Sequence, residues 1–438
     1  MEKEKRISTR EMEGKINNAA VKIIDVRSAD SYNGWKDKKE KRGGHIENAK
    51  SIPFKWFSYI DWIDIINGKG ITSNDEIVVC GDNMDETDRA AARFKSGGFD
   101  KISVYYDFIN EWAADESKPM QRLAKYEKLV PSAWLKKLID TGAAAKYGND
   151  KFVVCHAHYR NKEDYKKGHI PGAVEIDTNT LESPETWNRR QADEIENTLK
   201  THGIDSETTV ILYGRFSYPG NDDPFPGSSA GHLAAMRCAF IMLYAGVKDV
   251  RILNGGMQSW EDMGYEVSVE NVEKKPVDDF REDIPAHPEF AVDTPEAKEI
   301  IRSGDKNLVS VRSYAEYTGK VSGYNYITKK GRIPGAIFGN CGSDAYHMEN
   351  YRNLDHTTRE YGEIENMWKE AGITPDKHNA FYCGTGWRAS EAFFNAYLMG
   401  WPRISVYDGG WFEWSSDENN PYETESPDKN TKKSVSGV

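Results

Sequence analysis

Residues 168–173 read Gly168-His169-Ile170-Pro171-Gly172-Ala173, and related hexads occur twice more, as Gly44-His45-Ile46-Glu47-Asn48-Ala49 and Gly331-Arg332-Ile333-Pro334-Gly335-Ala336. Glycine and proline mark a tight loop, and the alanine opens an apolar run. Before each hexad lies a short buried-type run ending at a turn: VKIIDVRSADSY near residue 25, KFVVCHAHYR near 155 and KNLVSVRSYAEY near 310. After it come EIVVC, TTVILYG and HNAFYC, then an alanine-rich helix expected to close at Gly98, Gly246 and Gly400. DKISVYY, KDVRILNGG and PRISVYDGG follow, and a tryptophan stands fourteen residues past each closing glycine: Trp112, Trp260 and Trp414. Unrelated segments would not keep that offset, so the chain reads as three copies of one unit.

Each unit runs strand, loop, strand, helix, strand. Strands alternating with helices predict an α/β fold with a parallel sheet in each copy. Ligands of open parallel sheets sit beyond the carboxyl ends of the strands, before helix N-termini. The turn between the third strand and the alanine-rich helix is therefore where chemistry is expected. Polar, proline-broken segments at 115–131 and 270–288 separate the units.

The 438 residues suit about three domains. Seventy acids against 58 bases give a net charge of −12 with no basic tail, which argues against nucleic acid or an anionic membrane as partner. The longest apolar stretch, from Cys238 to Val247, is about half of what a membrane-spanning helix needs. Cys80, Cys155, Cys238, Cys341 and Cys383 are odd in number and far apart, so neither a disulfide framework nor a structural zinc site is expected. MEKEKRIST carries no apolar leader. As given, the chain reads as cytoplasmic, with a periplasmic or secreted location left open should a leader have been removed.

The third turn reads Phe381-Tyr382-Cys383-Gly384-Thr385-Gly386-Trp387-Arg388-Ala389-Ser390. A thiol ends a buried strand, glycines let the backbone wrap around its sulfur, and a helix begins. Successive N–H groups and the positive helix end would stabilise a thiolate. Arg388 adds a fixed charge in a fork that matches an oxyanion. The pattern suits a nucleophile that handles anions.

These residues resemble the rhodanese (thiosulfate sulfurtransferase) superfamily, and most nearly its bacterial members with three rhodanese-like domains. DVRS, GHIPGA, CGTGWRAS and VYDGGW carry the resemblance, which extends over most of the chain. It implies three tandem rhodanese-like domains, each a small parallel sheet flanked by helices, at 1–120, 121–275 and 276–422; the polar composition of 423–438 predicts a disordered tail. It also implies sulfur transfer through a persulfide on Cys383, cradled by Gly384, Thr385, Gly386, Trp387 and Arg388, with Trp387 as an apolar wall. Arg312, in the SVRS run, would bind the anionic donor. The donor would be thiosulfate or a related anion, and the acceptor cyanide or a thiol, free or on a protein. No metal or organic cofactor is implied. Four residues separate Cys383 from Arg388. Phosphatases and arsenate reductases that resemble this fold use one more, which ranks that activity behind sulfur transfer. A sulfur-carrier or docking protein charged by a partner's persulfide is the other alternative.

The second unit places Gly214 in line with Cys383, has no thiol there, and carries an insertion from Arg215 to Ala230, so it is expected to be inactive. Cys80 is placed in register with Cys383. The turn after it, Gly81 to Asp88, holds four carboxylates that disfavour a thiolate, so the first unit is also expected to be inactive. Cys155 is aligned with Asp25 and Ser310, Cys238 is assigned to the core, and His156 and His158 are not expected to bind metal. Gly319 to Gly335 holds Lys320, Lys329, Lys330 and Arg332 and no acid. It reads either as a basic rim steering anions or as a solvated loop.

Overall fold

The computed structural model describes residues 4–36, 39–160, 162–216 and 231–425. They fall into two compact units, one running to Glu127 and the other beginning at Lys128. Most of the second-unit insertion (217–230) and the tail from 426 lie outside the described residues.

Three five-stranded parallel sheets share one strand order. The first runs Lys5–Arg6, Ile102–Tyr105, Glu76–Cys80, Val21–Asp25, Lys50–Ser51. The second runs Leu129–Val130, Asp249–Leu253, Thr209–Tyr213, Phe152–His158, Val174–Asp177. The third runs Ala291–Val292, Ile404–Tyr407, His378–Tyr382, Lys306–Ser310, Ile337–Phe338. The first-named strand of each sheet has two residues, too few to show a period, and sequence reading passes over it.

The repeated tryptophans close each unit. Trp112, Trp260 and Trp414 are buried, and their indole N–H groups donate to Pro119, Glu266 and Pro421 carbonyls at 3.1, 2.9 and 2.8 Å. The chain just beyond then pairs antiparallel with the hexad: His45 with Gln121, His169 with Ser268, Arg332 with Glu423. Met120–Gln121 is thus part of the first unit's fold rather than a free connector. Glu423 and Glu425, read from sequence as the head of a disordered tail, are likewise bonded. The Glu423 backbone exchanges hydrogen bonds with Arg332, and the Glu425 carbonyl accepts from its guanidinium at 2.6 Å.

The hexad histidine packs rather than reacts. His45 and His169 stack on Tyr32 and Tyr165, with ring centroids 3.5 and 3.8 Å apart. Arg332 takes the same place over Tyr317. Each of these tyrosines donates to the hexad alanine carbonyl, at 2.7, 3.0 and 2.8 Å.

Met84–Ser96, Gly231–Ala245 and Trp387–Leu398 are the alanine-rich helices. Every residue of Gly231–Ala245 except Tyr244 is buried. A helix buried all round must be covered on both sides. One side meets its own sheet and the other meets Trp387–Leu398, with Phe240 edge-on to Phe393 at 5.4 Å. Cys238 lies inside this helix, as expected. That helix contact brings the second and third repeats together at the third turn.

Candidate active site

Cys383 lies one residue beyond the strand His378–Tyr382 and is fully buried. Glycine shapes the turn after it. Gly386 has φ +89°, and a Cβ there would stand 2.8 Å from Arg237 Nη1. A Cβ on Gly384 would run into the Tyr324 ring. The Cys383 and Gly384 carbonyls accept from the N–H groups of Trp411 and Phe412, at 2.8 and 2.9 Å, where the helix Gly410–Ser416 begins. Each peptide is planar and trans, so carbonyls turned toward that helix turn the N–H groups of Gly384 and Thr385 the opposite way. The first turn of Trp387–Leu398 adds N–H groups with no acceptor inside the helix. The turn therefore gathers N–H donors on the side away from that helix.

Arg388 does not offer its fork to a donor anion, as the sequence reading expects. The fork already holds a carboxylate. Nη1 and Nη2 each lie 2.9 Å from a Glu316 oxygen, and both side chains are fully buried. Nη1 also donates to Cys341 Sγ at 3.2 Å. Arg312 is spoken for too, with Nε 3.3 Å from Glu316, Nη1 2.7 Å from the Gly331 carbonyl and Nη2 3.3 Å from the Ser322 carbonyl. Burial works against the Glu316 charge, yet Arg388 and then Arg312 hold its carboxyl down to about 2. Burial pushes the neighbouring Cys341 thiol up to about 12.

A continuous belt of rings surrounds the turn. Tyr324 stacks on Tyr326 at 5.2 Å, Tyr326 on Trp187 at 5.5 Å and Trp187 on Tyr159 at 5.4 Å. Trp387 stands edge-on to Tyr159 at 5.5 Å, and Tyr346 to Tyr324 at 5.8 Å. Tyr326 also lies beside Thr385. Tyr159 and Trp187 come from the second repeat, the others from the third. Tyr326 is 37% exposed whereas Cys383 is 0% exposed, so the belt opens to solvent at Tyr326 and closes on the sulfur. Trp387 is buried within this belt, and its indole N–H reaches Glu182 of the second repeat at 2.9 Å.

The Rhodanese-like domain family matches residues 8–115, 132–263 and 293–417, one stretch for each sheet. This chain belongs to the rhodanese family. It is 40% identical over 410 residues to thiosulfate sulfurtransferase YnjE of Escherichia coli K12, covering 92% of this chain and 89% of that one. Solved structures of EanB are similar throughout. A persulfide form of EanB, in a tetrahedral intermediate state with ergothioneine, has 58% identity and a TM-score of 0.95 over 96% of this chain and all of its own. A complex of EanB with hercynine has 57% identity and a TM-score of 0.95, covering 97% of this chain and 98% of its own. The chain is a rhodanese-type sulfurtransferase.

Strand register decides which residues share the rhodanese turn position. Ser310 pairs with Tyr382, His156 with Tyr213 and Asp25 with Cys80. Gly214 thus stands where Cys383 stands. In the first repeat that place belongs to Gly81, and Cys80 matches Tyr382 instead. Cys155 likewise falls one residue short, matching Ile24 and Val309. Successive residues of a strand face opposite sides, so a shift of one turns Cys80 away from the turn. Burial, with Asp25 adding, pushes its thiol well up. The acidic turn itself is a helix start, where Asn83 accepts from the Asp85 and Glu86 N–H groups.

Of the histidine pair, His158 bonds Glu175 at 2.8 Å and His156 lies against Tyr213. Among the described residues no group of three potential metal ligands converges, and no helix is long and apolar enough to cross a membrane. The basic segment reaches the rhodanese site through its tyrosines, Tyr324 and Tyr326. Arg332 is buried and paired with Glu423, and Lys329 lies over the Tyr422 ring. Sequence reading missed Glu316, whose signal was the Ser313-x-x-Glu316 capping box. Glu182, Arg237, Tyr159 and Trp187 left no local signal, since they reach the site from another repeat.

Proposed function

We propose that this sulfurtransferase loads a persulfide on Cys383 and passes the outer sulfur to a small aromatic betaine, an imidazole bearing a trimethylammonium group such as hercynine. The observation that carries this reading is the belt of tyrosine and tryptophan rings around a turn whose two arginines already face Glu316. Aromatic faces attract quaternary ammonium groups, each contact worth about 0.5–2 kcal/mol. The likeness to EanB, at over half identity across nearly the whole chain, supports the same acceptor class.

In the first half-reaction the Cys383 thiolate attacks the outer sulfur of a donor such as thiosulfate. The donor S–S bond breaks and sulfite leaves with the electron pair. In the second half the terminal persulfide sulfur adds to imidazole C2 while the C2=N pair passes to the ring nitrogen, which takes a proton from solvent. The C2 proton then leaves to solvent, its electron pair forms C2=S, and the S–S bond breaks with its pair returning to the Cys383 sulfur. The loop N–H groups stabilise the sulfur anion in both halves. Tyr324, Tyr326 and Thr385 place the ring over the sulfur. Arg388 and Arg312 shape the turn through Glu316 rather than hold the donor.

The test separates the halves. Purified protein is treated with thiosulfate and Cys383 is checked for a gain of about 32 Da. The loaded protein is then offered hercynine, dithiothreitol or cyanide. Formation of ergothioneine with loss of that mass supports the acceptor. Discharge by thiol and cyanide alone would restrict the chain to ordinary sulfane transfer.

A further inference from the structure

Glu182 belongs to the second repeat, yet its fully buried carboxylate sits against the third repeat's turn. Its oxygens accept from the Trp387 indole N–H at 2.9 and 3.1 Å and from Arg237 Nε at 2.8 Å. Arg237 is equally buried. Its Nη2 donates to the Trp187 carbonyl at 2.8 Å, and its Nη1 lies 2.7 Å from Asp408 Oδ1. That Nη1 is also the atom a Cβ on Gly386 would press against. Trp187 has φ +64°, a left-handed conformation that a bulky residue keeps only where its surroundings impose it. One buried carboxylate–guanidinium pair therefore fixes two rings of the belt and backs the loop glycine. Such a pair costs desolvation on both sides and is a poor source of stability, so its geometry calls for another use.

We propose that Glu182 and Arg237 are positioning residues for sulfur transfer, holding Trp187 and Trp387 around the Cys383 persulfide and making the thiol-less second repeat a working half of the active site. This rests on Cys383 as the sulfur carrier. Ionised, Glu182 accepts from both Trp387 and Arg237. Protonated, one oxygen becomes a donor and one of those bonds is lost. Burial raises the group to about 7 against the pull of Arg237, which puts this change near neutrality. The charged and titratable groups facing it are Arg237 and Cys238 on Gly231–Ala245, Tyr159 on its own repeat, and Asp408 beyond Ile404–Tyr407, itself held by Arg189 at 2.9 Å.

The experiment compares wild type, Glu182→Gln, Trp387→Phe and the double variant in the full chain. Loading of Cys383 from thiosulfate is read by mass, and single-turnover discharge is followed with hercynine and with dithiothreitol from pH 5.5 to 8.5 on either side of about 7. We expect loading within about twofold of wild type and discharge to hercynine slowed about tenfold or more in Glu182→Gln. Trp387→Phe should reproduce most of that loss, and the double variant should be no slower than the worse single. The wild-type-to-Gln rate ratio should climb as pH rises through about 7. The dithiothreitol arm should show the same coupling at smaller size. It still reads the proposal if hercynine proves not to be an acceptor of the wild type. Additive losses, a pH-independent ratio, or loading and discharge falling together would overturn it. Should Glu182→Gln not fold, Glu182→Asp carries the test: it keeps the charge and must retain loading and the pH step while slowing discharge, and loss of that step overturns the proposal.

Discussion

Arg388 meets Glu316 through two parallel N–H···O bonds of 2.9 Å each, both side chains shut away from solvent. The pair ties the helix behind the Cys383 turn to the capping box of the helix Tyr314–Tyr317, and Arg312 reaches the same carboxylate from the strand end. An arginine two residues into a helix can point outward to an anion or inward to a carboxylate. Here Glu316 settles the direction, and the roles of both arginines follow from it.

Arg388→Ala leaves Glu316 buried against Arg312 alone. Breaking a buried pair from one side costs about 3–5 kcal/mol. The variant is expected to show a lower urea midpoint together with weak persulfide loading. Arg388→Lys keeps the charge but loses the fork, and should recover stability only in part. An alanine variant as stable as wild type would mean that the pair does not hold the turn.

The same pair sets an acid limit. Folding depresses the Glu316 carboxyl from 4.5 to about 2. Its contribution is complete above 4.5 and fades as pH falls toward 2. The shift is worth about 3 kcal/mol. Stability measured between pH 5 and 2.5 should fall more steeply in wild type than in Glu316→Gln, which lacks the titrating group. Parallel curves would refute this.

Cys383→Ser should abolish loading and transfer and leave the fold intact, as read by mass spectrometry and circular dichroism. Cys80→Ser should alter turnover by less than about twofold, because its sulfur is buried one register step away from the turn. Comparable losses in the two variants would move chemistry into the first repeat.

Tyr324→Leu removes the ring beside Gly384 while keeping an apolar side chain. For the proposed trimethylammonium-bearing acceptor it should raise KM about tenfold, in line with one or two lost ring contacts, and leave loading unchanged. Loss confined to loading would place Tyr324 on the donor side instead.

The paired glycines 409 and 410 are not equivalent. A Cβ on Gly410 would meet the Cys383 and Gly384 carbonyl oxygens at 2.9 and 2.8 Å, at φ +55°, whereas one on Gly409 would meet only the Glu413 side chain. Gly410→Ala should destabilise by more than about 2 kcal/mol and slow loading, since left-handed strain and a backbone clash add. Gly409→Ala also crowds Glu413, whose Cβ would stand 2.7 Å away, but at φ −62° it adds no left-handed strain and should cost less. Thermal unfolding of the two variants checks the order.

Much of this protein is settled by local pattern. The hexads, the closing glycines and the tryptophan offset determine three α/β units, because a glycine at positive φ or a short apolar run acts over a few residues and leaves its mark there. The Cys383 turn is legible for the same reason. Contacts between distant segments belong to the tertiary structure. Whether Arg388 faces an anion or Glu316, seventy-two residues away, depends on how two helices pack. Whether Cys80 lines a turn depends on a register step that reverses the side of a strand, and the pairing of Asp25 with Cys80 decides it. Tyr159, Trp187, Glu182 and Arg237 reach Trp387 and Gly386 only because the helices Gly231–Ala245 and Trp387–Leu398 press together. Burial can be read from composition along one helix, but which repeat supplies the cover is fixed by packing in three dimensions.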